Sequence, residues 1–272
     1  MPTASTETVE RQAAEAGRKP GRRTDRVIAA SMLSPGIYEM VIRDPYVAAT
    51  VRPAQFVNLY PSDATMALPR PFGVAKVEGD DVTLIYQIVG AGTREFAKLQ
   101  AGGTVDVLGP LGKPFDTGKT ANYVLVGGGL GVPPLLYAAQ TLSKRDDGTL
   151  VTSVFGYRDV RFADELVAPF ADTTHSIINA EGNVVDLLND IEDELDGADQ
   201  KPIILSCGPT PMMKAVAAWA SKRNIEAQFS LEARMGCGYG ACVACVVDTP
   251  QGRLKVCKDG PVFTTEQLGW EA

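Results

Sequence analysis

Residues 235–245 read Met-Gly-Cys-Gly-Tyr-Gly-Ala-Cys-Val-Ala-Cys, and a further cysteine follows at position 257. The spacing is C-x4-C-x2-C-x11-C, and plant-type [2Fe–2S] sites use this C-x4-C-x2-C run with a distant fourth cysteine. Two irons bridged by two sulfides need four thiolates, so the predicted ligands are Cys237, Cys242, Cys245 and Cys257. A structural zinc site and unliganded thiols are the alternatives, but a zinc ribbon normally uses two C-x2-C pairs and this segment has one.

The rest of the C-terminal segment, residues 225–272, is rich in cysteine and glycine and poor in apolar residues. A segment of this size needs a staple such as a metal site to fold. We therefore predict a small C-terminal domain over 225–272 that a cluster holds together.

Residues 119–224 alternate between strand patterns and helix patterns. Predicted strands cover Tyr123–Val126, Val151–Phe155, Ser176–Asn179 and Ile203–Ser206. Predicted helices cover Pro133–Leu142, Ala163–Phe170, Val184–Glu194 and Pro211–Lys222. Repeated strand–helix units predict an α/β domain with a parallel sheet covered on both faces.

Two loops of this α/β region follow predicted strands. Glycines after a strand let the backbone approach a pyrophosphate, and ligands bind outside the carboxyl ends of parallel strands. The candidate nucleotide-binding residues are Gly127, Gly128, Gly129, Gly131, Cys207, Gly208 and Pro209. The first loop lacks the G-x-G-x-x-G pattern, so a plain strand–helix turn is the alternative there. For Cys207 the alternative is a buried small hydrophobe.

Residues 26–118 contain short strand patterns separated by turn residues, which predicts an antiparallel β-barrel. Three short motifs in it carry candidate ligand-binding residues: Arg70, Pro71, Phe72 and Gly73, then Ile85, Tyr86 and Gln87, then Gly92 and Thr93. An arginine is a planar phosphate clamp, and a Gly-Thr pair at a helix start offers free N–H groups. Each motif alone is weak, since an Arg-Pro pair at a strand edge is commonly structural.

Composition excludes several classes of function. The chain has 272 residues and a net charge of -7, without the basic face that a nucleic-acid binder shows. It has no apolar run of the roughly 20 residues that a membrane helix needs. Residues 1–25 are polar, lack a secretory signal and are predicted to form a mobile extension. An odd count of five cysteines, four of them within residues 237–257, makes a poor disulfide framework, so we expect a cytoplasmic protein.

The order of these motifs resembles the electron-transfer subunit of dihydroorotate dehydrogenase B, within the ferredoxin–NADP reductase superfamily. The likeness runs from about Arg26 to Phe263 and includes Gly-Pro-Leu-Gly at 109–112, Cys-Gly-Pro-Thr-Pro-Met at 207–212 and the cysteine segment. It implies a multidomain fold with an FAD-binding antiparallel barrel, an NAD-binding parallel-sheet α/β domain and a small C-terminal [2Fe–2S] domain.

The resemblance also implies a function. A separate FMN-containing catalytic subunit oxidises dihydroorotate in pyrimidine biosynthesis, and electrons pass through the cluster and FAD of this subunit to NAD⁺, the co-substrate. The family assembles as a heterotetramer of two catalytic and two electron-transfer subunits. The chain would be a flavin iron–sulfur oxidoreductase subunit without a catalytic side chain of its own, because the cofactors carry the chemistry.

Two readings compete with this one. Related subunits serve ferredoxin:NADP reductase or sulfide dehydrogenase complexes, and Arg158 after the second predicted strand could contact a 2′-phosphate, although a lone arginine there is more often a solvated loop residue. A zinc-stabilised binding module is the non-enzymatic reading. One departure from the family stands at Gly73, where serine is common and its hydroxyl can lie near the flavin. Phe72 is a second, since its family counterpart is often aliphatic.

Overall fold

The computed structural model describes residues 20–271. Most of the predicted N-terminal extension, residues 1–19, lies outside this range. Its last residues belong to the barrel, because the first strand starts at Arg23, three residues before the predicted boundary. Arg23 is buried there and pairs with the buried carboxylate of Asp44, whose oxygen lies 2.5 Å from the guanidinium.

The N-terminal half forms a closed antiparallel barrel, as predicted. Its strands are β1 (Arg23–Ser34), β2 (Ile37–Arg43), β3 (Phe56–Tyr60), β4 (Arg70–Glu78), β5 (Asp81–Gln87) and β6 (Thr104–Leu111). They close in the order β1-β2-β5-β4-β3-β6. Alternation along β5 directs Val82, Leu84 and Tyr86 into the barrel core. Two short helices connect strands, α1 (Pro45–Thr50) and α2 (Ala91–Phe96).

The second half contains a six-stranded sheet. Its strands are β7 (Asn122–Gly128), β8 (Leu150–Tyr157), β9 (Thr173–Ile178), β10 (Pro202–Cys207), β11 (Glu226–Ser230) and β14 (Val262–Thr264). Their order is β14-β11-β10-β7-β8-β9, and all pairs are parallel except β11 with β14. The predicted parallel sheet is confirmed, with one antiparallel edge strand added.

The helices of this domain follow the predicted alternation. They are α3 (Val132–Leu142), α4 (Asp164–Val167), α5 (Val184–Asp190), α6 (Glu192–Gly197) and α7 (Thr210–Lys222). The single helix predicted over 184–194 is two helices that meet at the buried Ile191. The helix predicted over 163–170 is shorter, because its last residues, Ala168–Phe170, form a 3₁₀ turn.

The C-terminal region is joined to the α/β domain. It adds β12 (Val246–Thr249), β13 (Gly252–Lys255), α8 (Val256–Asp259) and α9 (Thr265–Leu268). Strands β11 and β14, both within the predicted small domain, extend the large sheet, and Phe229 lies opposite Phe263 in their pairing. Both phenylalanines are buried in one core with Cys245 and Cys257. The cluster-binding region therefore shares its core with the α/β domain.

Helix α3 joins the barrel to the α/β domain. The side-chain amide of Gln140 donates to Val77 O at 2.9 Å and accepts from Val77 N at 3.0 Å. The hydroxyl of Tyr137 donates to Val51 O at 3.1 Å. The Gln140 bonds fix α3 against strand β4, and the Tyr137 bond fixes it against the residue that follows α1. The clefts described next lie between the two halves.

Candidate functional site

A cleft of about 360 Å³ lies between the barrel and the α/β domain. Eight of the nine residues predicted in the three barrel motifs line it: Arg70, Pro71, Phe72, Gly73, Ile85, Tyr86, Gln87 and Thr93. They come together because β4 and β5 are antiparallel neighbours in the barrel. The structure thus brings three separate motifs of the sequence to one wall.

The ninth residue, Gly92, packs against the side chain of Arg70. A Cβ atom on Gly92 would lie 2.7 Å from Nε of Arg70, so only glycine leaves room for the guanidinium. The guanidinium also donates to Leu68 O at 2.6 Å. Thr93 holds the start of helix α2, because its hydroxyl oxygen accepts from Gly90 N at 3.1 Å. Arg70 is thereby fixed with its charge at the cleft.

The lining of this cleft fits a flavin nucleotide. Apolar groups such as Ile85, Pro134 and Leu231 make most of the wall, and the Arg70 cation stands among them, as an apolar ring system linked to a pyrophosphate requires. The hydroxyl of Tyr86 is buried and has no hydrogen-bond partner among the described residues. Burial raises the pKa of Tyr86 to about 12, so it remains a neutral donor.

The α/β side of the cleft contains residues that the motifs did not predict. Pro133 and Pro134 come from the start of α3, and Glu232 and Met235 from the segment after β11. Glu232 also lines a second cleft. Its side chain is exposed at the mouth, yet desolvation by the cleft wall raises the pKa of its carboxyl. The sequence did not predict a place at the flavin cleft for these four residues, since they reach its wall only through the packing of two domains.

The second cleft, of about 590 Å³, lies at the carboxyl edge of the parallel sheet. Five predicted residues line it: Gly128, Gly129, Gly131, Gly208 and Pro209. The two glycine loops approach closely, because a Cβ atom on Gly208 would lie 3.0 Å from Gly128 N. Tyr157, Arg158 and Asp159 from the end of β8 form another part of the wall. Backbone N–H groups, open space and the sheet edge together fit a dinucleotide.

Two predicted nucleotide residues have other surroundings. Gly127 does not line the second cleft, and a Cβ atom on it would lie 2.9 Å from Val132 Cγ2 and 3.0 Å from Phe155 Cδ1. Its role is therefore close packing of strand, helix and neighbouring strand. Cys207 lines the flavin cleft instead, where burial and the nearby Glu232 carboxylate raise the pKa of its thiol.

The four predicted cluster cysteines form two pairs. The Sγ atoms of Cys245 and Cys257 are 3.3 Å apart, and Cys242 N donates to Cys237 Sγ at 3.4 Å. In the described part of the chain, no three side chains of His, Cys, Asp or Glu converge on one ion. Two cysteine pairs fit a cluster with two irons, each bound by two thiolates, better than a single zinc ion in a four-sulfur shell.

The two pairs differ in exposure. Burial opposes ionisation of Cys237, but backbone N–H groups of Cys242, Tyr239 and Ala241 point at its sulfur and lower its pKa to about 6. Burial raises the pKa of Cys257 to about 12. A metal offsets that cost, because a coordinating thiol is deprotonated. The more exposed pair, on the loop of residues 237–242, lies toward solvent.

Comparisons with known proteins agree with this geometry. The family model described as the iron-sulfur cluster binding domain of dihydroorotate dehydrogenase B matches residues 232–269. Two similar proteins bear the name dihydroorotate dehydrogenase B (NAD(+)), electron transfer subunit. The Bacillus velezensis protein is 41% identical over 88% of this chain and 95% of its own length. The Listeria monocytogenes protein is 36% identical over 89% of this chain and 97% of its own.

Solved structures also resemble this chain. An NADH-dependent reduced ferredoxin-NADP oxidoreductase, studied for flavin-based electron bifurcation, matches with a TM-score of 0.78 and 27% identity over 90% of each chain. A Neisseria gonorrhoeae ferredoxin NADP+ reductase with bound FAD and NADP matches with a TM-score of 0.55. At 19% identity over 72% of this chain and 89% of that one, it shows the shared fold alone. Among residues 20–271, no helix is long and apolar enough to span a bilayer.

Proposed function

The chain belongs to the family of dihydroorotate dehydrogenase B electron-transfer subunits, and from that membership we propose how its parts work. It is an oxidoreductase subunit that conducts electrons from a catalytic subunit to NAD⁺ and uses FAD and an iron–sulfur cluster. When bound, FAD exchanges a hydride with the nicotinamide and single electrons with the cluster. The protein residues bind, orient and shield these groups.

One observation carries the proposal: the segment 230–237 touches all three sites. Ser230 and Leu231 line the flavin cleft, and Glu232 lines both the flavin and the nucleotide cleft. Met235 lines the flavin cleft two residues before Cys237, the first predicted cluster ligand. Groups that exchange electrons must lie close together, and this segment supports that arrangement.

Each predicted site residue has a distinct task in this proposal. Arg70, supported by Gly92, neutralises the flavin pyrophosphate, while β4 and β5 present backbone and apolar surface to the ring system. The glycine loops after β7 and β10 receive the dinucleotide phosphates. Cys237, Cys242, Cys245 and Cys257 hold the cluster. No general acid or base is required, since the hydride passes between cofactors.

The partner in this proposal is an FMN-containing dihydroorotate-oxidising subunit, in a cytoplasmic assembly of two catalytic and two electron-transfer subunits. The surface of the cluster loop supports docking there. Tyr239 is 55% exposed and lies two residues after Cys237, and Val243 is 73% exposed and follows Cys242. Exposed apolar surface beside a redox centre is suited to contact with a protein partner.

The test is anaerobic co-purification with an FMN-containing dihydroorotate-oxidising subunit, followed by measurement of NADH formed from dihydroorotate and NAD⁺. We expect NADH only when both subunits are present. The resemblance to a reduced ferredoxin-NADP oxidoreductase keeps a second candidate open, a ferredoxin- or sulfide-linked reductase. A protein that carries FAD and cluster, oxidises NADPH and yields no NADH from dihydroorotate would favour that candidate and refute the first.

A further inference from the structure

Strand β3 carries a buried polar side chain on the outer face of the barrel. Its neighbours Val57 and Leu59 point into the barrel core, so alternation turns Asn58 outward. Asn58 is nevertheless 0% exposed, because the cluster loop covers it. Burying an amide is costly unless it makes hydrogen bonds, so this asparagine needs a reason to be there.

The reason is a contact with the first cluster ligand. The Asn58 side-chain amide donates to Cys237 O at 2.8 Å across a separation of 179 residues. Gly238, at φ +79, packs flat on the same amide, and a Cβ atom there would lie 2.9 Å from Asn58 Cγ. The side chain is thus pressed between the barrel strand and the peptide after Cys237.

Strand β3 also pairs along one edge with β4, the strand that carries the predicted flavin-binding residues Arg70 and Pro71. In the pairing of β3 with β4, Asn58 lies opposite Pro71 and Leu59 lies opposite Arg70. One residue therefore connects the predicted flavin clamp, through a strand pair, with the backbone of a cluster ligand. Among the described residues, Asn58 makes a side-chain hydrogen bond from the barrel to the cluster loop, residues 237–245.

We propose that Asn58 is a positioning residue for the iron–sulfur site, which fixes the Cys237 peptide against the flavin strand and thereby sets the electron distribution between cluster and flavin. This inference rests on the proposed function. The peptide it holds begins the turn whose N–H groups point at the Cys237 sulfur, with Cys242 N at 3.4 Å. Hydrogen bonds to cluster sulfur raise the reduction potential, so a looser turn should make the cluster harder to reduce.

The experiment uses the full chain loaded with FAD and cluster and compares Asn58→Leu with Gln140→Leu. Leucine has the branched shape of asparagine but no donor, and its methyl groups are larger than the amide oxygen and nitrogen. Gln140 is a matched control, because its buried amide also crosses a domain boundary, to Val77 O at 2.9 Å, without contact with the cluster loop. Iron and FAD content of the wild-type chain are measured first, and absence of either would refute the proposed function rather than the role of Asn58.

The readout is the EPR signal of the reduced cluster and the flavin absorbance at a fixed NADH/NAD⁺ ratio. We expect Asn58→Leu to alter the EPR line shape and to lower the ratio of reduced cluster to reduced flavin by about threefold to tenfold, the scale of one hydrogen bond. Gln140→Leu should leave the EPR line shape of the cluster unchanged, because Gln140 bonds to Val77 and not to the cluster loop. Equal changes of line shape in both variants, or none in Asn58→Leu, would overturn the inference.

A second variant decides the case in which Asn58→Leu does not retain a cluster. Asn58→Ala leaves space for water to bond to Cys237 O, so it should load a cluster with the same direction of shift. Loss of the cluster in both Asn58 variants, with a normal cluster in Gln140→Leu, would show that Asn58 is needed to form the loop and would overturn the positioning role. Loss of the cluster in all three variants would overturn the inference, because removal of any buried interdomain amide would then be enough to prevent cluster binding.

Discussion

Replacing Gly73 with serine should destabilise the chain, because Pro134 fills the space that the new side chain needs. A Cβ atom on Gly73 would lie 2.8 Å from Pro134 Cγ, well inside the 3.5–4.0 Å or so that carbon atoms prefer. The ring cannot turn away, since the bonds of Gln140 to Val77 hold α3 on β4. Overpacking of this kind costs about 1–3 kcal/mol of unfolding free energy, and each kcal/mol lowers the Tm by about 2–4 °C.

A double-mutant cycle measures this contact. Gly73→Ser, Pro134→Ala and the double variant are unfolded in urea beside the wild type. We expect the serine to cost at least about 1 kcal/mol less when Pro134 is absent, within the range for residues in contact. Gly197→Ser is the control, because nothing lies within 4 Å of a Cβ atom there, and it should change stability by less than about 0.5 kcal/mol.

Equal costs of the serine with and without Pro134 would refute this steric reasoning. The same variants also test whether a serine at position 73, which is common in the family, tunes the flavin. In the single variant, a displaced α3 would change the flavin surroundings together with the new hydroxyl. The flavin potential and the rate of reduction by NADH are therefore compared between Pro134→Ala and the double variant. Identical values would show that a hydroxyl at this position does not tune the flavin.

Three further predictions concern single side chains. Asp44→Ala leaves the buried Arg23 guanidinium without its carboxylate, so the free energy of unfolding in urea should fall by about 3–5 kcal/mol. Gly92→Ala displaces Arg70 and should speed FAD release about tenfold, followed by flavin fluorescence. Asp159→Ser removes a carboxylate from the nucleotide cleft and should raise kcat/KM for NADPH relative to NADH about tenfold. Unchanged stability would contradict the prediction for Asp44→Ala, an unchanged rate of FAD release that for Gly92→Ala, and an unchanged coenzyme preference that for Asp159→Ser.

The sequence predicted those features that depend on local pattern. The parallel strands, the barrel and the cysteine set each follow from periodicity or spacing over short segments. Their place in space then follows from topology, since parallel strands bring Gly128 and Gly208 to one sheet edge. A common site for Arg70 and Gly92 was predicted from the resemblance to a known family, which depends on the order of several motifs along the chain. Neither motif is specific alone.

The features that were missed depend on contacts between distant segments. Pro134, Glu232 and Asn58 belong to no local motif, and the last bonds a residue 179 positions away. The domain boundary before residue 225 was predicted from a change in composition. The high content of cysteine and glycine identified the cluster loop, but it did not identify the strands on either side of that loop. Strand β11 buries Ala227 and Phe229 in the core of the α/β domain and continues the large sheet, and β14 then adds to its edge.

Two of the contacts that the sequence did not predict lie on the paired strands β3 and β4. Gly73 on β4 receives Pro134 of the α/β domain, and Asn58 on β3 receives the cluster loop. The same pair of strands carries Arg70 at the flavin cleft. A register shift of one residue would turn Asn58 into the barrel and Leu59 toward the cluster. The flavin cleft and the cluster loop thus both depend on one strand pair, so changes within that pair should affect flavin and cluster together. Changes in the loop after β8, which lines the second cleft, should affect the dinucleotide alone.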